Sequence, residues 1–160
     1  MKHILVVDDE PMVRRVICLM LEQQGYGCRE VRNGQEGMAV LKANPPVDLV
    51  ITDNHMPMMN GLQLIAYLKT SPSYRRLPIV LLSGHLSEEV KALAMEKGVS
   101  ALLTKPLDVG ELLETVDRVL KMDRSTQQER SEGLISLTEQ AMIGQGYPVP
   151  SAASRQQLRM

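Results

Sequence analysis

Near its amino end the chain carries a stretch that combines an apolar run with two acids and a proline: residues 3–11 read HILVVDDEP. The run Ile4–Val7 does not alternate with polar residues, which is typical of a short strand that is covered on both faces. Pro11 suits the first position of a helix, where its missing N–H group is not needed. The stretch therefore predicts a strand, a loop that carries Asp8 and Asp9, and a helix.

The same succession of apolar run and helical pattern recurs up to about residue 121 and predicts a parallel sheet. The predicted strands are Ile4–Val7, Cys28–Val31, Val47–Thr52, Pro78–Leu82 and Val99–Leu103. The predicted helices run from Pro11 to about Gln24, from Gln35 to about Ala43, from about Gly61 to Lys69, from Ser87 to Gly98, and from an N-cap at Asp108 to about residue 121. Five such units predict an α/β fold with a doubly wound, five-stranded parallel sheet, since a closed barrel needs eight.

The length and charge of the chain limit the classes of protein to consider. Its 160 residues allow one domain, or one domain with a tail. Lysine and arginine number 18 against 19 acidic residues, so the formal charge of −1 gives no reason to expect a polyanionic partner such as a nucleic acid. The apolar runs are too short for a membrane span or a signal segment, which leads us to expect a soluble, cytoplasmic protein.

The two cysteines, Cys18 and Cys28, lie among apolar residues, without a CxxC pair or a nearby histidine cluster. Disulfides are rare in the cytoplasm, and zinc sites need closely spaced ligands. We therefore expect two reduced thiols, not a bridge or a zinc site.

Residues that can carry chemistry follow four of the predicted strands directly. Asp8 and Asp9 follow the first strand, Asp53 the third, Ser83 the fourth and Lys105 the fifth. Ligands of an open α/β sheet bind at the carboxyl ends of its strands, so these groups should meet at one edge. Clustered carboxylates repel one another unless a cation lies among them, and oxygen ligands suit Mg²⁺. A carboxylate beside Mg²⁺ and a lysine can accept a phosphoryl group, because both cations neutralise the transferred oxygens.

Each of these features has a simpler explanation when it is taken alone. Asp8 and Asp9 could cap a helix, Asp53 could begin a turn, and Lys105 could lie in a solvated loop. Their joint placement at successive strand ends favours a common site over these separate explanations.

Taken together, the motifs resemble the receiver domain of two-component response regulators. The resemblance rests on Asp8-Asp9, on Asp53 followed by Met56-Pro57 and Gly61, on Ser83-Gly84 and on Lys105-Pro106. It covers residues 3 to about 121. It implies the flavodoxin-like strand order 2-1-3-4-5 for the predicted sheet.

The resemblance also implies a role for each acid. Asp53 would accept a phosphoryl group from the phosphohistidine of a sensor histidine kinase or a histidine phosphotransfer protein. Asp9 would bind Mg²⁺ directly and Asp8 would hold it through water. Asp53 and the backbone carbonyl of His55 would complete the protein ligands of the metal.

The remaining motif residues are implied to surround the phosphoryl group. Ser83 would donate a hydrogen bond to it, Lys105 would pair with its charge, and Pro106 would follow a cis peptide bond. A shift of Ser83 would then switch a protein-interaction surface formed by helix 4, strand 5 and helix 5. The family usually has an aromatic residue at the position of Leu102, so we expect the aromatic part of this switch to be absent and Leu102 to pack at the sheet edge.

Two histidines follow the proposed site at equal spacing, His55 after Asp53 and His85 after Ser83. Our hypothesis is that they set the lifetime of the aspartyl phosphate, with a pH dependence near neutrality because an unperturbed histidine titrates at about 6.5. The alternative is that both are exposed loop residues without a kinetic role.

The composition changes after about residue 122, which divides the chain into a receiver at 1–122 and a Gln-rich tail at 123–160. Leu134, Leu137 and Ala141 predict a short amphipathic helix in a tail that is otherwise partly disordered. The tail docks on the receiver, mediates self-association into a homodimer, or begins the rest of a longer multi-domain regulator. It is too short for a helix-turn-helix output domain, so we expect no direct nucleic-acid binding.

The function that we expect is a phosphoacceptor switch that acts on an unknown downstream protein. It would not be an enzyme, apart from catalysing its own phosphorylation and dephosphorylation. The alternative is a Mg²⁺-dependent aspartyl-phosphate hydrolase, but such hydrolases commonly carry a D-x-D motif and residue 10 is a glutamate. A third possibility, a phosphorylation-independent scaffold, is disfavoured because every residue of the site motif is present.

Overall fold

The computed structural model describes residues 1–146, except for the side chains of residues 135, 138 and 139. Within this part of the chain, five strands alternate with five helices. The strands are β1 (His3–Val7), β2 (Gly27–Val31), β3 (Leu49–Asp53), β4 (Ile79–Ser83) and β5 (Ala101–Thr104). The helices are α1 (Pro11–Gln23), α2 (Gly34–Lys42), α3 (Gly61–Thr70), α4 (Glu88–Glu96) and α5 (Val109–Gly144).

The strands form one parallel sheet in the order β2-β1-β3-β4-β5. This confirms the predicted doubly wound fold and the order that the resemblance implied. The register aligns the carboxyl ends of β1, β3, β4 and β5: Val7 lies opposite Thr52, Asp53 opposite Leu82, and Ser83 opposite Thr104. The loops after these strands therefore meet at one edge of the sheet.

Alternate residues of each strand enter two apolar layers, one on each face of the sheet. Ile4 and Val6 of β1 face the layer that α1 and α5 cover, while Leu5 and Val7 face the layer that α2, α3 and α4 cover. All four side chains are at most 1% exposed. Burial of one such aliphatic side chain contributes roughly 1.5–3 kcal/mol, so the central strands anchor the edge that carries the site.

The loop after β3 is fixed by a close approach between two chain segments. Asn60 and Gln63 cap α3 reciprocally, with the backbone N–H of each donating to the side-chain oxygen of the other at 2.9 and 2.8 Å. Gly61 lies so near the backbone carbonyl of Asp53 that a Cβ atom there would collide with it. The N–H of Gly61 also donates to the carbonyl of Asn54 at 3.0 Å. The start of α3 is therefore held against the end of β3, where Asp53 lies.

The structure corrects the expectation of two reduced thiols, because Cys18 of α1 and Cys28 of β2 form a disulfide. Their Cα atoms lie 5.6 Å apart, within the range that a bridge requires. Both residues belong to the apolar layer that α1 covers. The spacing of the two cysteines in the sequence does not predict this contact, because the contact depends on how α1 packs against β2.

The last helix also extends beyond its expected end. We predicted a helix to about residue 121 followed by a separate short helix, but α5 continues without a break to Gly144. The chain divides into two compact units, Met1–Lys121 and Met122–Met160. No side chain that the structure describes between residues 122 and 146 is buried.

The expected disorder of the tail falls partly on residues 147–160, which lie outside the described residues. Among the residues that are described, no helix is long and apolar enough to cross a membrane.

Candidate functional site

Lys105 lies among three carboxylates at the carboxyl edge of the sheet. Its Nζ atom is 2.8 Å from Oδ2 of Asp8, 3.5 Å from Oδ1 of Asp53 and 3.6 Å from Oε1 of Glu10. Burial alone would lower the pKa of Lys105, but its hydrogen bond to Asp8 and the charges of Asp8, Asp53 and Glu10 outweigh this effect and raise the pKa. The lysine is therefore a charged group that joins the loops after β1, β3 and β5.

Asp53 is a nearly enclosed carboxylate, with 4% of the residue exposed. Its burial raises the pKa of the carboxyl group, and the negative charges of Asp8 and Asp9 act in the same direction. The charge of Lys105 and the backbone N–H of Asn54 lower the pKa, but they only partly offset the rise. The site thus concentrates negative charge that a single lysine does not fully neutralise.

The acids after β1 form a cluster of oxygen donors. One carboxylate oxygen from each of Asp8, Asp9 and Glu10 lies within 4.8 Å of the other two. Asp8 is fully buried, whereas Asp9 and Glu10 are exposed. Carboxylate oxygens at this spacing, open to water on one side, fit Mg²⁺, which retains several water ligands. Glu10 was not among the predicted site residues, although it follows the two aspartates directly.

Ser83 is fully buried and hydrogen bonded within its own loop. Its Oγ atom donates to the backbone carbonyl of His85 at 2.9 Å and accepts from the N–H of His85 at 3.3 Å. The backbone of Ser83 is tied to the lysine loop, since the N–H of Lys105 donates to the carbonyl of Ser83 at 2.8 Å. The structure therefore brings Ser83 to the same edge with its hydroxyl already engaged.

The other predicted site residues lie in these loops. The Lys105-Pro106 peptide bond is cis, as the resemblance implied. His55 and His85 have exposed side chains in the loops after β3 and β4. Leu102 of β5 is partly buried and packs against the layer that α2, α3 and α4 cover, which agrees with the expected edge packing.

Arg14 is a buried residue that contacts the backbone of Asp8, and it was not among the predicted site residues. Its Nη1 atom donates to the backbone carbonyl of Asp8 at 2.6 Å, and its guanidinium lies 3.7 Å from Glu30 of β2. Only 9% of the residue is exposed. The helical spacing held a signal for it, because Arg14 precedes the buried residues Ile17 and Cys18 by three and four positions. An arginine on the inward face of a helix, five residues after Asp9, predicts a buried contact near the two aspartates.

An open, mainly apolar groove of about 370 Å³ adjoins Lys105. It lies between the first turns of α1 and the loop after β5, and it is lined by Glu10, Met12, Val13, Val16, Lys105, Pro106 and Leu107. Met12 is 75% exposed. The groove therefore combines apolar walls with two charged groups of the site at its rim.

Known proteins are similar to this chain in sequence. The family model described as the response regulator receiver domain matches residues 4–117. The transcriptional regulatory protein GlrR of Escherichia coli (strain K12) is 34% identical over 150 residues, with coverage of 88% of this chain and 33% of that protein. The phosphate regulon transcriptional regulatory protein PhoB of Pseudomonas aeruginosa is 35% identical over 120 residues, with coverage of 75% and 52%.

A solved structure is also similar to this chain in fold. The signal receiver domain of a signal transduction histidine kinase from Syntrophus aciditrophicus has a TM-score of 0.70 at 34% identity, covering 76% of this chain and 91% of that chain. The chain spans about a third of the length of GlrR and about half of the length of PhoB.

Proposed function

Since the chain belongs to the response regulator receiver domain family, we propose that it is a phosphorylation-activated switch with Asp53 as its phosphoacceptor. The observation that carries this proposal is the position of Lys105 between the carboxylates of Asp8 and Asp53. The charge of Lys105 is shared by carboxylates from two parts of the chain, the loop after β1 and the end of β3, so it can also neutralise a phosphoryl group transferred to Asp53.

Asp53 acts as the nucleophile in the proposed reaction. One of its carboxylate oxygens attacks the phosphorus of the donor, and the bond from phosphorus to the donor's leaving group breaks, so that an aspartyl phosphate forms. The ionised form of Asp53 is the reactive one, and the charge of Lys105 favours it against the burial that raises the pKa. Lys105 then pairs with the phosphoryl oxygens, because it is held charged at this edge by Asp8.

The acidic residues fit Mg²⁺ by the chemistry and spacing of their oxygens. Asp8, Asp9 and Asp53 would hold the ion, together with the backbone carbonyl of His55, and Glu10 offers a further carboxylate. When bound, Mg²⁺ supplies positive charge to the phosphoryl oxygens. The chain contributes the orientation of Asp8, whose carboxylate contacts Lys105 and whose carbonyl accepts from Arg14.

The phosphodonor is a histidine-bearing helix of a sensor kinase or a phosphotransfer protein, and the groove beside Lys105 is its docking site. A phosphohistidine must reach Asp53 closely enough for its phosphorus to be attacked, so the donor has to cover the rim of the site. Glu10 and Lys105 form that rim and also line the groove. Exposed Met12 and the partly buried Val13 present apolar area that such a helix can cover.

The response begins at Ser83. Its hydroxyl donates to His85 in the unphosphorylated chain, and a phosphoryl group on Asp53 offers three stronger acceptor oxygens nearby. Exchange of this hydrogen bond would release the loop before α4 and alter the surface of α4, β5 and α5. Leu102 occupies the position of the usual aromatic, so the readout relies on backbone movement. His55 and His85 are exposed beside the site and adjust access of water to the phosphoryl group.

The wider role follows from the relatives. The matched regulators are longer than this chain, and both are named transcriptional regulatory proteins. We propose that this receiver acts in the cytoplasm and passes its signal to a protein partner, or to further domains of a longer regulator. Apart from its own phosphorylation and dephosphorylation, it catalyses no reaction.

The test is incubation of the full chain with acetyl phosphate and Mg²⁺, followed by intact mass measurement. We expect a gain of one phosphoryl group, which is lost in Asp53→Ala and in EDTA. Asp117→Ala is the matched control, because Asp117 is an exposed acid that pairs with Lys121 outside the site. Release of phosphate without a retained adduct would favour the hydrolase, and absence of any reaction would favour the scaffold.

A further inference from the structure

We propose that Cys18 and Cys28 are a reversible thiol–disulfide pair, a second covalent modification site that reacts with small thiols and disulfides of the glutathione class. The bridge joins helix α1 to strand β2, and neither sulfur belongs to the phosphoacceptor site. The two states of this pair would change how firmly α1 is held, and α1 lines the groove beside Lys105.

The two cysteine residues differ in their exposure. Cys18 is 1% exposed and lies inside the apolar layer, whereas Cys28 is only partly buried. Cys28 lies on β2, which is the first strand at one edge of the described sheet. In the proposed exchange a small reactant therefore attacks at Cys28, the more exposed of the two residues, and Cys18 responds from inside the protein.

Both states of the pair are compatible with the fold. The surroundings of the two residues are apolar, and a reduced cysteine behaves as a small apolar side chain. Reduction of the disulfide therefore leaves no strongly polar group buried without a partner. Helix α1 also remains tied to β2 without the bridge. Glu30 of β2 lies 3.7 Å from the guanidinium of Arg14 and 3.5 Å from that of Arg15.

The cellular compartment favours reversibility. Disulfides in the cytoplasm are usually transient, because the glutathione and thioredoxin systems keep thiols reduced. This step rests on the cytoplasmic location given under the proposed function. A bridge with one residue only partly buried is one that we expect these systems to open.

One molecule of oxidised glutathione is the oxidant that forms the protein disulfide. The thiolate of Cys28 attacks it, a mixed disulfide forms, and one glutathione thiolate leaves. The thiolate of Cys18 then attacks the sulfur of Cys28 and displaces the second glutathione. Two protein thiols are oxidised, two glutathione molecules are formed, and the two protons of the protein thiols pass to them. Reduction follows the same steps backwards.

In the test, the full chain is equilibrated in glutathione buffers of increasing oxidised fraction. It is then quenched in acid and alkylated under denaturing conditions, and its intact mass is measured. We expect both alkyl labels to disappear together in one transition. Cys18→Ser should accumulate one glutathione on Cys28, because the resolving thiol is missing. Cys28→Ser should react roughly tenfold more slowly, since Cys18 is buried.

Other results would overturn the proposal. It is wrong if the wild-type chain keeps either thiol at every buffer ratio, or if the two serine variants take up glutathione at equal rates. Cys18→Ala is made beside Cys18→Ser, and circular dichroism shows whether each variant is folded. Asp53→Ala should give the wild-type thiol transition, so a failure of the phosphoacceptor proposal leaves this measurement unaffected.

Discussion

Met58 has a left-handed backbone conformation that asparagine adopts more readily than methionine. Its φ of 67° lies in the left-handed region, which side chains with a Cβ adopt at a cost and asparagine tolerates better. The residue is 74% exposed, so packing offers little compensation. We expect Met58→Asn to raise the free energy of unfolding by about 0.5–1 kcal/mol, measured by urea denaturation.

Asn44 provides the reverse experiment. It is an exposed residue with a φ of 58°, so it already has the better side chain for this backbone. Asn44→Met should lower the free energy of unfolding by a similar amount. If Asn44→Met destabilises the chain while Met58→Asn leaves it unchanged, the loop around Met58 compensates for its backbone conformation and our explanation fails.

The raised pKa of Asp53 predicts a pH-dependent cost to stability. Burial and the charges of Asp8 and Asp9 make the folded chain bind a proton at Asp53 more tightly than the unfolded chain does. Stability contributed by Asp53 is therefore lost as the pH rises from about 3.9, the unfolded value, through the raised folded pKa. In EDTA, Asp53→Asn should melt at a higher temperature than the wild type at pH 7.

Two conditions separate this electrostatic explanation from a packing effect. The difference between Asp53→Asn and the wild type should shrink as the pH falls below about 3.9, because the carboxyl group then becomes protonated in both states. Added Mg²⁺ should raise the midpoint of the wild type more than that of the variant, since Asp53 is a proposed ligand. A stabilisation of Asp53→Asn that is the same at every pH would contradict the assignment.

At the scale of the elements, Arg14 connects helix α1 to the loop after β1 and to β2. Its buried guanidinium donates to the carbonyl of Asp8 at 2.6 Å and pairs with Glu30. Arg14→Met retains most of the side-chain volume but leaves a buried carbonyl without its donor. We expect a loss of about 2 kcal/mol in the free energy of unfolding, measured by urea denaturation.

Arg15→Met is the matched control, because Arg15 pairs with the same Glu30 at 3.5 Å from a side chain that is 56% exposed. An exposed ion pair of this kind contributes about 0.5 kcal/mol. Equal losses for the two variants would show that the ion pair with Glu30, and not the hydrogen bond to Asp8, is what Arg14 contributes.

The elements also show which features a sequence can predict. The strands and the starts of the helices were predictable because they depend on local signals, namely apolar runs, Pro11 and the N-caps Ser87 and Asp108. The convergence of Asp8, Asp53 and Lys105 was predictable because a parallel sheet brings the ends of its strands together. These inferences need only the order of the elements along the chain.

Contacts that depend on how one element packs on another were not predictable. The Cys18–Cys28 bridge needs the rotation of α1 over β2, which no residue spacing encodes. The unbroken length of α5 was not predictable either, because the polar residues 123–133 separate the apolar pattern that ends at Leu120 from the one that begins at Leu134. Glu10 was overlooked because its role depends on the distance to Lys105, which only the folded loops define.

At the scale of the whole molecule, the buried core determines which part of the chain folds by itself. Every buried apolar residue among those described lies between Ile4 and Leu120, inside the unit Met1–Lys121. In the remainder of α5, Leu134 and Leu137 are 67% and 65% exposed. We therefore expect a chain that ends at Lys121 to unfold cooperatively within about 2 °C of the full chain, as measured by calorimetry.

The same shortened chain should gain one phosphoryl group from acetyl phosphate at the rate of the full chain, because Asp8, Asp53 and Lys105 all lie within it. A midpoint several degrees lower would show that the segment after Lys121 packs on the receiver, since removal of buried apolar area costs about 25 cal/mol per Å². A faster gain of the phosphoryl group would show instead that the segment restrains the site. Unchanged midpoint and rate would leave self-association and connection to further domains as the roles of that segment.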